Sequence, residues 1–433
     1  MDETGFASAR REHRSLNRGT EEENAAMLQM KIAAHQVAMG MYVSNLDRPW
    51  TETPFPFQGF LVAKESELRG LKKHCAHVFI DVEKGISPSS STMGSAAPLA
   101  ANIPPAPLPK PSVKYENQTP VEDELKIASE VREAINEKVG EFMDDIRSGR
   151  APNLSSVKQA IARMEESILR NPDAFMWLRQ LRKRDAYSYT HCIDCSALAV
   201  AFGRQLGLPA EQIHELALGA LLFDIGKTKV PEKLLGKPGK LSEEEFSIVK
   251  MHVEFSLGIV DGDNGITPQT RAMIATHHER FDGSGYPKRL KGGEIPLLGR
   301  IAAIVDFYDA VTSERPYASA MSPHDAIKYL YKFRNTHYQD ELIEQFIQTI
   351  GAYPVGTLVE LSTGEIGIVI EQNQVRRLLP KVIVVLDANK IPVGNPPIRD
   401  LMLEANENSG DLVSIAKSLV PGSHGIEPED YYL

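Results

Sequence analysis

The side chains best suited to chemistry gather in one run, His277-His278-Glu279-Arg280-Phe281-Asp282-Gly283-Ser284-Gly285-Tyr286-Pro287. Two adjacent imidazoles are candidate ligands for a transition metal. The Asp-Gly-Ser-Gly-Tyr-Pro that follows cannot continue a helix, because its glycines permit positive φ and Pro287 restricts its predecessor. The pattern predicts a helix end that delivers two nitrogen donors, followed by a rigid loop able to close over a ligand. The alternative is a solvated histidine pair with an ordinary turn behind it.

Four further metal-type donors stand upstream and downstream: His191, Asp224 in Leu222-Phe223-Asp224-Ile225-Gly226-Lys227, His252, and Asp306 in Val305-Asp306-Phe307-Tyr308-Asp309. Each lies in or beside an apolar stretch, where an unpaired carboxylate is costly. Asp224 and Asp306 therefore need cationic partners. Four histidines and two carboxylates are enough for two metals sharing a bridging carboxylate, and Fe or Mn suits such a mixed imidazole–carboxylate set. Six separately satisfied core polar groups are the competing account.

The elements that must position these residues are mainly helical. Apolar residues recur at three and four in Val157–Leu169, Cys195–Leu206 and Ile213–Leu222. Ser242-Glu-Glu-Glu245 is a capping box predicted to open one helix running through Ile259. The expected architecture is mainly α: a helical bundle over 121–352, preceded by a small α/β unit over 28–85 and followed by a β-rich unit and tail over 353–433. In the first unit, short apolar pieces flank one helix from Glu65 to Cys75. In the last, Thr357–Leu361, Ile366–Glu371 and Val382–Leu386 alternate with period two around Thr363-Gly364. Residues 86–120 are Pro/Ser-rich and read as a linker, and residues 1–27 are polar and predicted to be disordered.

Composition narrows the function further. A chain of 433 residues with 42% hydrophobic and 24% charged residues can bury a sizeable core. Its net charge of −10 argues against a nucleic-acid polymer as partner. Three cysteines, Cys75, Cys192 and Cys195, form no disulfide framework and fit a reducing cytoplasm. Cys192-Ile-Asp-Cys195 has redox-motif spacing but sits in a helical apolar pattern, so buried inert thiols are expected. No signal peptide or membrane span is expected.

Residues from about Asp185 to Tyr331 resemble the HD-GYP family of cyclic-dinucleotide phosphodiesterases, a branch of the HD phosphohydrolases. The signature is His277 through Pro287, and a second one runs from Asp306-Phe-Tyr-Asp309 to Arg315-Pro-Tyr. Residues 30–84 resemble the accessory domain often found before HD-GYP modules, and the β-rich C-terminus resembles the tail of that architecture. The resemblance implies metal-dependent hydrolysis of cyclic di-GMP and/or 3′,3′-cyclic GMP-AMP to the linear 5′-phosphorylated dinucleotide. It carries His191, Asp224, His252, His277, His278 and Asp306 over as ligands for two divalent metals. Lys227 and Arg315 match the cations that hold the substrate phosphate and, with Asp224, are the expected catalytic residues. Tyr286 matches a residue lining the nucleotide pocket, and Gly283 and Gly285 let backbone approach the ligand. Asp309 is expected to support the ligand shell.

Two positions depart from the pattern. The family's His-Asp dyad reads Phe223-Asp224 here, which takes a nitrogen from the site of His191, Asp224 and Asp306 and weakens it. Tyr187 replaces an acidic residue that some members use for a third metal, so two metals are the most expected. The rival expectation is a degenerate module that binds nucleotide or metal and signals through protein partners without turnover.

Overall fold

The computed structural model describes residues 29–48, 53, 55, 60–62, 64–81, 103–104, 106–180, 187–237, 239–313, 321–351, 353–373, 379–407, 413–420 and 422–431. The segment assigned to disorder and most of the first half of the Pro/Ser-rich stretch lie outside these residues.

The N-terminal unit is an antiparallel four-stranded sheet in the order β1-β4-β2-β3, with β1 Gln29–Ala33, β2 Tyr42–Leu46, β3 Phe60–Leu61 and β4 His77–Asp81. The helix Glu65–His74 covers it through Leu68 and Leu71, its two buried apolar residues. Asp47 fixes the turn into β4 by accepting from the amides of Ala76 and His77 at 2.7 and 2.9 Å. This unit touches the helical one where the Tyr331 hydroxyl donates to Asn45 at 2.5 Å.

Residues 106–120, with the nearby 103–104, are an extended strap along the helical unit. Gly293 N–H donates to the Pro104 carbonyl, Ser112 N–H to Gly207 and the Tyr115 hydroxyl to Leu208, all at 2.9–3.0 Å. Proline-rich chain has few amides to satisfy, so a handful of bonds to helix ends is enough to hold it.

The helical unit follows as Val121–Arg147, Leu154–Arg170, Pro172–Gln180, Tyr187–Gln205, Ala210–Leu222, Glu243–Lys250, His252–Ile259, Pro268–Thr276, Leu297–Thr312, Pro323–Lys332 and Asp340–Ile350, with a short turn Glu232–Leu235. Side-chain caps set several starts: Asn153 accepts from the amides of Ser155 and Ser156, Thr267 from Thr270 and Ser322 from Asp325. Proline opens the last two of these helices, where its missing N–H costs nothing. The helix Leu297–Thr312 is buried from Ile301 to Val311, and its mostly apolar sequence accounts for that central place. Among the described residues, no helix is long and apolar enough to cross a membrane.

One expected helix is two. The run that Ser242 opens stops at Lys250, and a new helix starts at His252 rather than continuing to Ile259. At Met251 the amide bonds the carbonyl three residues back, Ile248, at 3.1 Å. That tightened turn breaks the axis and swings His252 inward.

The C-terminal unit is an antiparallel five-stranded sheet, β8-β7-β6-β5-β9. β5 Leu358–Leu361, β6 Ile366–Glu371 and β7 Lys381–Leu386 fall where the alternation predicts them, with Gly364 at φ +84° in the first hairpin. The edges, β8 Ile398–Asp400 and β9 Ile415–Ser418, carry no sequence signal of their own. Pairing supplies it: β9 lies along β5, a strand more than fifty residues upstream.

Candidate metal and phosphate site

Five separate elements bring side chains to one point. His191 comes from the helix Tyr187–Gln205, Asp224 follows the helix Ala210–Leu222, His252 starts its helix, His277 caps the helix Pro268–Thr276 with His278 just beyond, and Asp306 lies within Leu297–Thr312. All six expected donors are buried and meet there. Asp224, His252, His277 and His278 form one group, and His191, Asp224 and Asp306 a second, with Asp224 common to both. Asp224 Oδ1 is 3.3 Å from His252 Nε2 and 3.7 Å from His277 Nε2; Asp224 Oδ2 is 3.3 Å from His191 Nε2. Asp306 is 3.3 Å from His191 Nε2 and 3.7 Å from His278 Nδ1.

The ring protons can be placed by what the other nitrogens meet. His252 Nδ1 faces the Val249 carbonyl at 2.7 Å and His277 Nδ1 faces the Ile274 carbonyl at 2.8 Å. A carbonyl only accepts, so both Nδ1 atoms carry hydrogen, and in the neutral ring each Nε2 is left as a lone pair. Burial pushes the His252 pKa down to about 3, and burial with neighbouring His277 and His252 holds His278 well below the ordinary histidine range. Yet His252 Nε2 lies 3.3 Å from His277 Nε2 and 3.1 Å from His278 Nε2. Ring nitrogens packed this closely around a carboxylate oxygen suit a cation between them.

The second group has the same need. His191 Nδ1 donates to Asp309 at 2.7 Å, and Arg179 Nε donates to the other oxygen of Asp309 at 2.9 Å. This leaves His191 Nε2 facing Asp224 and Asp306. Burial works against a proton on His191, but Cys195 and the carboxylates of Asp224, Asp306 and Asp309 outweigh it and hold its pKa well above normal. Both oxygens of Asp306 and Asp224 Oδ1 are buried and accept no hydrogen bond among the described residues. Orphaned carboxylate oxygens and convergent imidazole nitrogens fit divalent cations, and these buried clusters could bind them.

Lys227 sits at the rim, its side chain 25% exposed, with Nζ 2.5 Å from Asp224 Oδ2. Although burial opposes ionisation, Lys227 and the surrounding histidines hold Asp224 well below the usual carboxylate range. Gly226 lies between them because a β-carbon there would overlap the His252 carbonyl and the Ser256 amide. Phe223 is fully buried beside the cluster, stacked on His277 and 6.3 Å from the His191 ring centroid. Its carbonyl accepts from the Ser256 hydroxyl at 2.7 Å.

The loop after His278 folds back onto the site. Glu279 is buried, and its two oxygens accept from the amides of Lys288 and Leu290 at 2.7 and 3.1 Å. Gly285 passes so close to Glu279 and Arg280 backbone that no β-carbon would fit, and Gly283 takes φ +84°. Tyr286 N–H donates to the His278 carbonyl at 3.2 Å, and its ring stacks on His278 at 4.6 Å. Arg315 and the side chain of Tyr187 lie outside the described residues. Cys192 and Cys195 are both free and buried, and burial pushes the Cys192 thiol up to about 12, as an inert pair requires.

Sequence reasoning missed Arg179 and the loop tie of Glu279. Arg179 is 130 residues from Asp309 in the chain, so no local pattern connects them. Glu279 could have been found, since a charged residue flanked by buried histidines needs a partner.

Comparison with known proteins gives the same neighbourhood. Residues 150–342 match the family model described as an HD domain, and residues 29–157 match a domain of unknown function, DUF3391. A cyclic di-GMP phosphodiesterase of Pseudomonas aeruginosa is 33% identical over 84% of this chain and 87% of its own length. The cyclic di-GMP phosphodiesterase response regulator RpfG of Xanthomonas campestris is 35% identical over 45% of this chain and 52% of its own. A 3′3′-cGAMP-specific phosphodiesterase of Vibrio cholerae is 33% identical over 39% of this chain and 31% of its own.

Proposed function

Since the chain belongs to the HD-GYP family of cyclic-dinucleotide phosphodiesterases, we propose that it opens a cyclic dinucleotide, cyclic di-GMP and/or 3′,3′-cyclic GMP-AMP, to the linear 5′-phosphorylated dinucleotide. The observation that carries this reading is the pair of His252 and His277 Nε2 lone pairs converging on the orphaned Asp224 Oδ1. His191, Asp224 and Asp306 would hold one divalent metal and Asp224, His252, His277 and His278 a second, with Fe or Mn the best suited. Bound there, such ions supply Lewis acidity to a phosphodiester oxygen and lower the pKa of an attacking water.

The protein's own residues do the rest. Asp309 fixes the tautomer of His191, and the Val249 and Ile274 carbonyls fix those of His252 and His277. Lys227, with Arg315 from the second signature, neutralises the non-bridging oxygens as charge builds at phosphorus. Water adds to phosphorus, the bond to the 3′ oxygen breaks, and that oxygen leaves with a proton the water has given up. Gly283 and Gly285 let the loop reach the ligand, and Tyr286 lines the pocket. Unpaired buried thiols support a cytoplasmic reading.

Phe223 favours a second reading, a module that binds nucleotide and signals through a protein partner without turnover. Metal analysis of the purified protein, followed by incubation with each cyclic dinucleotide and Mn or Fe, separates the two. Linear product that disappears with Asp224→Ala supports the enzyme; product only after Phe223→His supports the binding module.

A further inference from the structure

The strap that leads into the helical unit has contacts beyond those of a simple connection. Its first described residues fall in Ile103-Pro104-Pro105-Ala106-Pro107. Proline-rich chain builds no hydrogen-bond ladder of its own, so its carbonyls stay free to accept. The Pro104 carbonyl accepts from the Gly293 amide at 3.0 Å. The Ala106 carbonyl accepts twice, from Gln339 Nε2 at 2.6 Å and from Arg300 Nη1 at 3.1 Å. Arg300 also bonds Gln339 Oε1, and its Nε donates to the Ile295 carbonyl at 3.0 Å. Gly292 passes so near that a β-carbon there would lie 2.3 Å from the Pro104 oxygen.

These anchor points bear on one residue of the signature. Phe281 N–H donates to the His337 carbonyl at 3.0 Å, and the Phe281 carbonyl accepts from the Gly292 amide at 2.9 Å. Asp282 N–H donates to the Thr336 carbonyl at 2.7 Å. The signature backbone is thus held between two segments, 292–293 and 336–339, and the strap bonds both. Contacts close a ring from Pro104 through Gly293, Phe281, His337 and Gln339 back to Ala106. Phe281 lies between His278 and Tyr286 in the chain, and Arg300 shares a helix with Asp306.

We infer that residues 103–106 are a positioning brace for the signature loop, with Arg300 and Gln339 as its anchors. The kinetic consequence rests on the phosphodiesterase reading. A cyclic dinucleotide has to meet Tyr286 and the glycine turn as well as the metal-type cluster, so a loop that drifts loses binding and orientation. A small diester that needs only the cluster does not feel the drift.

The test compares the Mn-loaded full chain with its variants Arg300→Met, Arg300→Lys and Pro104→Gly. Hydrogen exchange of the Phe281 and Gly292 amides reads the brace directly. KM and kcat are followed for cyclic di-GMP, for 3′,3′-cyclic GMP-AMP and for bis(p-nitrophenyl) phosphate. Arg300→Met should speed exchange about tenfold and raise KM for the dinucleotide by a similar factor. Metal content and turnover of the small diester should stay at wild-type values. Arg300→Lys keeps one donor for Ala106 and should restore most of the loss. Pro104→Gly touches neither anchor and should move both readouts the same way by a smaller factor, which guards against a fold defect at Arg300. Unchanged exchange, an unmoved dinucleotide KM in an active enzyme, or equal losses on both kinds of diester overturn the brace. If exchange responds as expected but the wild type opens no cyclic dinucleotide, the brace stands and the turnover reading falls.

Discussion

Phe223 lies flat against His277, ring centroids 4.6 Å apart and planes 13° from parallel. The benzyl group packs one wall of the cluster. An apolar ring cannot ligate, whereas an imidazole at this position could add a nitrogen donor beside the cluster.

Phe223→His is therefore expected to raise the metal content of purified protein toward two ions per chain and to strengthen the weaker of two binding steps. Losing the stacked ring should cost about 1 kcal/mol of stability in the metal-free form. Elemental analysis with chelator competition decides it; unchanged stoichiometry would mean Phe223 does not limit the site.

Asp309 acts through His191. Asp309→Asn keeps an acceptor but removes the charge that both His191 Nδ1–H and Arg179 point toward. Metal affinity should drop roughly ten- to a hundredfold, with little change in fold. Titration against a fluorescent chelator reads this directly, and an unaltered affinity would remove Asp309 from the support of the cluster.

At Gly226 the neighbours are backbone, which cannot move aside. Gly226→Ala should destabilise by ~3 kcal/mol or displace the Asp224–Lys227 turn. Thermal unfolding and metal content together report which, and a wild-type value for both would contradict the close approach.

Acid sensitivity should come in part from Glu124, which is distant from the candidate site. Burial alone would raise its pKa, but Arg170 and the hydroxyls of Ser167 and Thr119 donate to it and hold the pKa below the ordinary value. A depressed folded pKa contributes stability that is complete above the unfolded value of about 4.5 and lost as pH falls through the folded one. Glu124→Gln should cost roughly 1–3 kcal/mol at neutral pH, with the deficit shrinking below about pH 4. Denaturant midpoints at pH 7 and pH 3.5 check it; a deficit that does not depend on pH would mean the charge contributes nothing.

Much of this was legible in the chain. Periodicity of three and four placed the helical stretches that follow His191 and precede Asp224, and the Ser242 capping box placed the helix start that the backbone adopts. Local signals work there because caps and amphipathic faces are set by neighbours within a few residues. The break at Met251 was not legible, since nothing in Lys250-Met-His252 opposes a continued helix. The inward turn of His252 and its hydrogen bond to the Val249 carbonyl accompany that break.

By itself, the sequence determined which donors the protein has and that they sit in apolar surroundings, where isolated charges cannot persist. Only the tertiary structure decided that Asp224 stands between two groups of nitrogens, that Arg179 and Asp309 orient His191, and that Lys250 lies over the ring of Tyr286. These contacts join residues separated by tens to more than a hundred positions. Such pairings depend on how whole helices pack, a property that no window of neighbouring residues contains.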